Sequence, residues 1–506
     1  MDVLGLLGQG FAIALLPTNL LACVIGVFLG TIVGILPGLG PPATMAMLLP
    51  LTYGMDPRAT LIMFAGIYYG SKYGGAVTSI LVNVPGESSS VMTTIDGYQM
   101  AKKGRAGPAL GIAAIASFVA GTIGVVGLML LAPPLAQFAL SFGPPENFAL
   151  VVVGLTLITF LAGESMVKAL LMGCLGLAIS LPGTDMMTGS LRFTFARPEL
   201  LGGVDFVVVA IGLFAIGEIL ANLEEAGAGQ VFPVPRKLSE LLPSRQDLRD
   251  SAATILGSTG LGFLVGVVPG GNPAIATFLA YGATKALAKD PEVFGTGTIR
   301  GVAAPESADN AASCGAMVPL MTLGIPGNAS TAMMLAALVM AGLQPGPLLM
   351  KQQPEFFWAV IASMYVGNVL LLVLNLPLVP LFASALRIPY AYLYPFILVI
   401  CAIGTYGVNN NISDVWLAGV FGIVGYFLKK LEFPLAPVVL AAVLGPLMEK
   451  SLRQSLVLLD GNVLGFFRRP ISALLLCAAL LLLLVPILRS LRRWRSEGRQ
   501  TRTALR

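Results

Sequence analysis

The chain has 506 residues, of which 56% are hydrophobic and only 11% are charged, with 30 lysines and arginines against 25 aspartates and glutamates. Soluble globular proteins carry about 25% charged residues, so this composition excludes an ordinary soluble domain and indicates an integral membrane protein. The chain contains no histidine, which excludes Ser-His catalysis, histidine metal ligands and histidine proton relays. Its five cysteines include no Cys-x-x-Cys pair, so neither a disulfide framework nor a cysteine metal site is predicted.

Apolar stretches recur from the first residues, which lack the basic region and cleavage site of a removed signal peptide. The pattern predicts an all-α polytopic membrane protein with about twelve spanning or re-entrant helices, several of them broken at Pro-Gly pairs. We predict a first membrane repeat at 1–222, a polar cytoplasmic linker at 223–250, a second membrane repeat at 251–490 and a basic tail at 491–506. The positive-inside rule assigns that tail to the cytoplasm, and no nucleic-acid partner is predicted for it.

The two halves share a pattern of glycines and prolines in the same order. Gly30, Gly34, Pro37, Gly38 and Pro41 recur as Gly262, Gly266, Pro269, Gly270 and Pro273, at a constant offset of 232 residues. Pro85, Gly86 and Ser89 recur as Pro326, Gly327 and Ser330, at an offset of 241. A conserved order with a drifting offset predicts a duplicated unit. We favour inverted repeats, because transporter sites are commonly built that way, although the sequence leaves parallel repeats open.

The first recurring motif is Gly34-Ile-Leu-Pro-Gly-Leu-Gly-Pro-Pro, echoed by Gly266-Val-Val-Pro-Gly-Gly-Asn-Pro. Proline and glycine stop an apolar helix and free backbone carbonyls, with no carboxylate expected nearby, so these breaks suit a sodium ion. The candidate sodium ligands are Pro37, Gly38, Gly40, Pro269, Gly270, Asn272 and Asn310. Asn310 follows Asp309, and for both residues the alternative is a helix cap at the surface. No other cofactor is predicted.

The second motif is Asn83-Val-Pro-Gly-Glu-Ser-Ser-Ser, echoed by Gly324-Ile-Pro-Gly-Asn-Ala-Ser-Thr. Each apolar run breaks at Pro-Gly and restarts with hydroxyl or amide residues, so backbone and side-chain donors converge at a helix start that suits a carboxylate. Glycine is expected there for a sharp turn and a close approach to the ligand. The candidate substrate-binding residues are Asn83, Pro85, Gly86, Ser88, Ser89, Ser90, Pro326, Gly327, Asn328, Ser330 and Thr331, together with Lys72. Ordinary helix capping is the alternative for these polar residues.

Lys72 lies in the glycine-rich apolar segment Tyr68-Tyr-Gly-Ser-Lys-Tyr-Gly-Gly. A lysine costs roughly 2.5–3.5 kcal/mol at the centre of a membrane span, so it needs a wet cavity or a partner. We predict that Lys72 faces the substrate pathway and attracts anions. The alternative is that its long side chain snorkels to the membrane interface.

These motifs resemble the TctA family, the large membrane subunits of tripartite tricarboxylate transporters. The resemblance covers residues 20 to 455 and rests on Gly34 to Thr44, Tyr68 to Gly75, Asn83 to Gly86 with Asp96-Gly97-Tyr98, Ala304-Pro-Glu-Ser-Ala-Asp-Asn-Ala, Leu323-Gly-Ile-Pro-Gly, Gly342-Leu-Gln-Pro-Gly-Pro and Gly445-Pro-Leu-Met-Glu. It implies sodium-coupled symport of citrate or related carboxylates across the bacterial inner membrane. It also implies a small four-span membrane subunit and a periplasmic substrate-binding protein as partners. Lys72 and Glu87 depart from the pattern, which has an uncharged residue and a small polar residue at those positions.

Two other functions compete with this interpretation. A cation channel or antiporter also uses broken helices, and it is the stronger alternative. An intramembrane hydrolase would use Gly86-Glu-Ser-Ser-Ser as its nucleophile segment, but the chain has no histidine to activate a serine and the duplicated motif would be unexplained. We therefore predict a transport protein and no enzyme.

Overall fold

The computed structural model describes residues 3–36, 40–161, 165–185, 187–223, 237–385 and 390–484. The predicted sodium ligands Pro37 and Gly38, residues 224–236 of the polar linker and the whole basic tail lie outside these residues. The described part is almost entirely helical, and five of its helices, Pro17–Ile35, Ala106–Ala139, Arg245–Val267, Pro354–Leu374 and Ile412–Lys430, are long and apolar enough to cross a membrane. The prediction of an all-α membrane protein is confirmed to this extent.

The helices of the first part are α1 Val3–Ala14, α2 Pro17–Ile35, α3 Pro41–Leu48, α4 Pro57–Val82, α5 Val91–Lys102, α6 Ala106–Ala139, α7 Pro144–Leu161, α8 Met166–Ile179, α9 Phe206–Ala210 and α10 Gly217–Asn222. A π-helical turn at Ile211–Ile216 joins α9 to α10. The helices that follow are α11 Leu238–Leu241, α12 Arg245–Val267, α13 Pro273–Leu287, α14 Arg300–Leu323, α15 Ala329–Met340, α16 Pro347–Gln352, α17 Pro354–Ala385, α18 Tyr390–Asn409, α19 Ile412–Lys430, α20 Ala436–Leu458, α21 Gly465–Arg468 and α22 Pro470–Leu484. Single 3-10 turns occupy Pro50–Thr52, Ser88–Ser90, Pro198–Leu200 and Pro291–Val293.

One short hairpin lies between α8 and α9, where β1 Gly183–Thr184 pairs antiparallel with β2 Leu191–Arg192. Asp185 accepts hydrogen bonds from the backbone N–H groups of Thr188, at 2.8 Å, and Met187, at 2.9 Å. These bonds favour the carboxylate and lower the pKa of Asp185 to about 2. Arg453 of α20 lies 2.8 Å from the same carboxylate, so the hairpin is tied to that helix.

The helix α12 begins at Arg245, inside the segment 223–250 that the sequence predicts as a polar linker. Its cap, Ser244, exchanges hydrogen bonds with Asp247, whose carboxylate also lies 2.7 Å from Arg105 before α6. The segment from Arg245 to 250, predicted as linker, is therefore the first turns of a long apolar helix. A Ser-x-x-Asp capping box explains the start, because it satisfies two backbone groups that a bare helix end would leave free.

Two helix pairs are packed through glycines so closely that backbone meets backbone. On α2, a Cβ added to Gly30 would lie 2.7 Å from Cα of Ile67 on α4. On α12, a Cβ added to Gly262 would lie 2.6 Å from Cα of Ala308 on α14. Small residues allow this approach. Inside a bilayer the hydrophobic effect does not drive helices together, so van der Waals contacts of this kind stabilise the packing. The packing fixes α4 and α14, the two helices that lead into the Pro-Gly motifs.

Asp96 on α5 binds the loop that precedes α14, and backbone N–H groups of this loop surround its carboxylate. The carboxylate accepts backbone N–H bonds from Gly297, at 2.7 Å, and Thr298, at 2.9 Å, and the hydroxyl bond of Tyr281, at 2.8 Å. Glycine suits the loop at position 297, where φ is +100°. These bonds satisfy a fully buried carboxylate and hold the segment before α14 against the helix that follows the first Pro-Gly motif.

Replacement of Gly262 by alanine tests the packing of α12 on α14. The added methyl group overlaps the backbone of Ala308, and overpacking of this kind costs about 1–3 kcal/mol, so we expect Gly262→Ala to lower the thermal midpoint of the detergent-purified protein. Gly260→Ala is the matched control on the same helix, because no atom lies within 4 Å of its added Cβ. Equal midpoints for the two variants would contradict the close packing.

Candidate functional site

A cavity of about 670 Å³ lies where four breaks in the helical chain meet. Its wall includes residues 40–43 and 84–89 from the first part of the chain and residues 270, 272–273 and 327–330 from the second. Clefts of roughly 300–1,000 Å³ hold small organic ligands in proteins. Both recurring motifs of both halves therefore contribute to one space, large enough for a small organic anion.

The helices α4 and α14 end in the same way before their Pro-Gly pairs. Asn83 closes α4 with φ of +60°, and Gly324 closes α14 with φ of +70°, so each helix stops at a left-handed residue. Gly86 and Gly327 do not have positive φ values. The sharp turn expected at these two glycines is thus made three residues earlier, and Asn83, which is exposed, serves as a helix terminator outside the cavity lining.

The two segments that follow the Pro-Gly pairs, which we call the first tip (residues 84–90) and the second tip (residues 325–331), share one hydrogen-bond pattern. The hydroxyl of Ser90 accepts the N–H of Glu87 at 3.2 Å and donates to its carbonyl at 2.9 Å. Thr331 does the same for Asn328, with both bonds at 2.9 Å. Ser90 and Thr331 are thus buried in caps, and the capping alternative describes them. Ser88, Ser89 and Ser330 lie on the cavity wall, and Asn328 lies there too while its side-chain oxygen caps α15.

The glycines of the two tips differ in their surroundings. A Cβ added to Gly86 would collide with the carbonyl oxygen of Gly34 and lie 2.8 Å from Cα of Gly75. A Cβ added to Gly327 meets nothing closer than the Cβ of Ala316, at 3.5 Å. The first tip is wedged between α2 and α4, and the second tip is open towards the cavity.

Lys72 reaches the cavity, but its charge is already partnered. Its Nζ lies 2.6 Å from Oε2 of Glu87 and 3.6 Å from Oδ1 of Asp309, and it donates to Oγ of Ser89 at 3.3 Å. The ring of Tyr68 lies below the ammonium, with its centroid 5.3 Å away. The lysine therefore does not snorkel to an interface, and two carboxylates offset the attraction for anions that we predicted for it.

Asp309 and Asn310 lie inside α14 and are buried, so neither caps a helix at the surface. Asp309 accepts the hydroxyl of Ser89 at 2.7 Å, and Asn310 donates to the carbonyl of Glu306 at 3.1 Å. Glu306, one turn earlier, is buried and accepts the hydroxyl of Thr93 at 2.5 Å. The side chain of Asn310 is therefore tied to its own helix, away from the cavity wall.

The remaining sodium candidates are divided between the wall and its surroundings. Gly40, Gly270 and Asn272 line the cavity, whereas Pro269 does not. Oδ1 of Asn272 accepts the N–H of Ala274 at 3.0 Å and so caps α13. Glu87 lines the same cavity, so a carboxylate shares this space with Gly40 and Gly270.

Sequence reasoning missed a second ion pair on the cavity wall. Glu218 on α10 and Lys429 on α19 face each other at 2.6 Å, and Phe214 of the π-helical turn lies beside them. The available signal was a single carboxylate within an apolar stretch, at Glu218. The partner could not be paired with it from sequence, because 211 residues separate the two.

Comparisons with known proteins point to one family. A family model described as the tripartite tricarboxylate transporter TctA family matches residues 20–440. An uncharacterized 52.8 kDa protein in the TAR-I ttuC′ 3′ region of Agrobacterium vitis is 46% identical over 497 residues, covering 98% of this chain and 99% of its own. An uncharacterized protein in the TAR-II ttuC′ 3′ region of the same organism is 44% identical over 236 residues, covering 47% of this chain and 98% of its own. No solved structure matches the chain.

Alanine at Gly86 and at Gly327 tests the different surroundings of the two tips. We expect Gly86→Ala to lower the thermal midpoint and the yield of folded protein, because the added methyl group overlaps backbone atoms of α2 and α4. Gly327→Ala is the matched control and should leave the midpoint unchanged. The measurement is thermal unfolding in detergent, and a loss of similar size at both glycines would rule out the asymmetry.

Proposed function

The chain belongs to the tripartite tricarboxylate transporter TctA family, and we propose that it is the large membrane subunit of a secondary active transporter that carries tricarboxylates or related carboxylates, such as citrate, into the cell. The observation that carries this proposal is the single cavity lined by both tips. A substrate with carboxylates at both ends needs donors on two sides of one space. Transport, and no enzymatic reaction, is the activity of this family.

The chemistry of the wall supports carboxylate binding. Ala329 and Ser330 form the first turn of α15, where unpaired backbone N–H groups and the positive end of the helix dipole favour an anion. Ser88 brings a hydroxyl group from the other side, whereas the hydroxyl of Ser89 donates to Asp309. Lys429 adds an ammonium group held beside Glu218, whereas the charge of Lys72 is already offset by Glu87 and Asp309.

We propose two inverted repeats with about twelve spanning or re-entrant elements in all. In support of two repeats, α2, a break, α3, α4, the first tip, α5 and α6 follow one another, and α12, a break, α13, α14, the second tip, α15, the short α16 and α17 follow in a similar order. The proposed location is the bacterial inner membrane, with the basic tail in the cytoplasm.

The proposed partners are a small four-span membrane subunit and a periplasmic binding protein that delivers the substrate. The family description, a tripartite transporter, supports a three-component assembly. The face of α19 that carries Trp416 and Phe427 is exposed, at 75% and 55% of these side chains, and suits lipid or the small subunit.

We propose that sodium drives uptake, bound at the breaks beside Gly40 and Gly270, two residues that line the same cavity as the proposed carboxylate site. Uptake of labelled citrate into proteoliposomes with the whole transporter should then stop when choline replaces sodium, across several pH values. Full uptake driven by a proton gradient alone would contradict sodium coupling.

The same assay separates transport from the alternative of a cation channel or antiporter. Carboxylate uptake that needs the binding protein supports the tripartite transporter. Cation flux without carboxylate accumulation would support the alternative.

Ser330→Ala tests the second tip as a carboxylate site. A hydrogen bond to a charged group contributes about 1.5–3 kcal/mol, so loss of the hydroxyl should raise the apparent KM roughly ten- to hundred-fold. Ser363→Ala is the control, because that buried hydroxyl bonds the carbonyl of Val360 in its own helix, away from the cavity. An unchanged KM in Ser330→Ala would remove this hydroxyl from the substrate site. Ser89 is a poorer probe, since its hydroxyl also supports Asp309.

A further inference from the structure

The cluster around Lys72 joins three separate segments on one side of the cavity. The ammonium comes from α4, Glu87 and Ser89 come from the first tip, and Asp309 comes from α14. Ser89 Oγ lies between the charged groups, 3.3 Å from the lysine and 2.7 Å from Oδ2 of Asp309. Lys72, Glu87 and Ser89 also line the cavity, so the cluster borders a space that dissolved ions can enter.

The cluster has more carboxylate oxygens than the ammonium binds. Oε1 of Glu87 and Oδ1 of Asp309 are buried and have no hydrogen-bond partner among the described residues, although Oδ1 lies 3.6 Å from the ammonium. The Glu87 side chain is 9% exposed and the Asp309 side chain 4%. One lysine and two carboxylates leave a formal charge of −1. A structural ion pair needs one carboxylate, and this cluster has two, from segments 222 residues apart.

We propose that Glu87, Asp309 and Ser89 form a binding site for a monovalent cation, and that the Lys72 ammonium occupies this site as a cation covalently supplied by the chain. Carboxylate and hydroxyl oxygens are the ligands that hard cations such as sodium prefer. The ammonium meets the same oxygens with its donors. The aromatic face of Tyr68, 5.3 Å from the ammonium, suits either cation.

Because the chain supplies its own cation here, the cluster requires no dissolved ion in order to hold α4, the first tip and α14 together. A sodium requirement of the whole transporter therefore arises elsewhere on the cavity wall. Removal of the ammonium opens the site, because two buried carboxylates then lack the only cation within reach among the described residues.

Thermal unfolding of the detergent-purified full chain tests this proposal. Lys72→Ala is unfolded in sodium, potassium, methylammonium or choline chloride at equal ionic strength, beside the wild type. We expect the thermal midpoint of Lys72→Ala to rise with sodium or methylammonium concentration and to saturate, with choline, which is too large for the site, as the reference. The added response should be weaker in Lys72→Ala/Asp309→Asn, which keeps one of the two carboxylates, and absent from Lys72→Ala/Glu87→Gln/Asp309→Asn, which has lost both.

A second variant covers the outcome that Lys72→Ala does not fold. Lys72→Ala/Glu87→Gln keeps Asp309 as a single carboxylate and should show the same saturable response, more weakly. The proposal is overturned if neither Lys72→Ala nor Lys72→Ala/Glu87→Gln responds to small cations beyond the wild-type response, or if the response survives in Lys72→Ala/Glu87→Gln/Asp309→Asn. The response of the wild-type midpoint to sodium tests only the proposed sodium coupling. The cation site and the sodium coupling can therefore be refuted independently.

Discussion

A buried ammonium must have its charge balanced, and in this protein the balance for Lys72 is drawn from both halves of the chain. Its Nζ lies 2.6 Å from Glu87 in the first tip and 3.6 Å from Asp309 on α14. Removal of one member of a buried ion pair typically costs about 3–5 kcal/mol, because the other charge is left without compensation. The cluster therefore fixes where the first tip lies relative to α14, and the glycine packing of α2 on α4 and of α12 on α14 supplies the rigid frame for it.

The two tips on the two sides of the cavity have similar backbone structure but different side chains. Both tips follow a left-handed helix terminus and carry the same hydroxyl-to-backbone cap, at Ser90 and at Thr331. The residue that each hydroxyl caps is Glu87 in one tip and Asn328 in the other. Glu87 is engaged by the lysine, while Asn328 donates to the hydroxyl of Tyr68 at 2.8 Å. The second tip is thus the more open of the two to a carboxylate, and the first is the more firmly held.

The sequence predicted the helical class and the Pro-Gly breaks that precede the two tips, because proline and glycine act locally and a duplicated motif is visible by self-comparison. It could not predict that Lys72 and Glu87, the two departures from the family pattern, are each other's partners. That pairing depends on how the first tip folds back on α4. The division between cap residues and wall residues was also hidden, since Ser89 and Ser90 are adjacent and of one type, and only helix geometry separates them.

The central claim is that one carboxylate ligand lies between the two tips. A cryo-electron microscopy map of the protein with a bound tricarboxylate tests it most directly. We expect a single ligand in the cavity of about 670 Å³, in contact with the first tip near Ser88 and with the second tip near Ser330. A ligand that touches only one tip, or that lies outside the cavity, would contradict it.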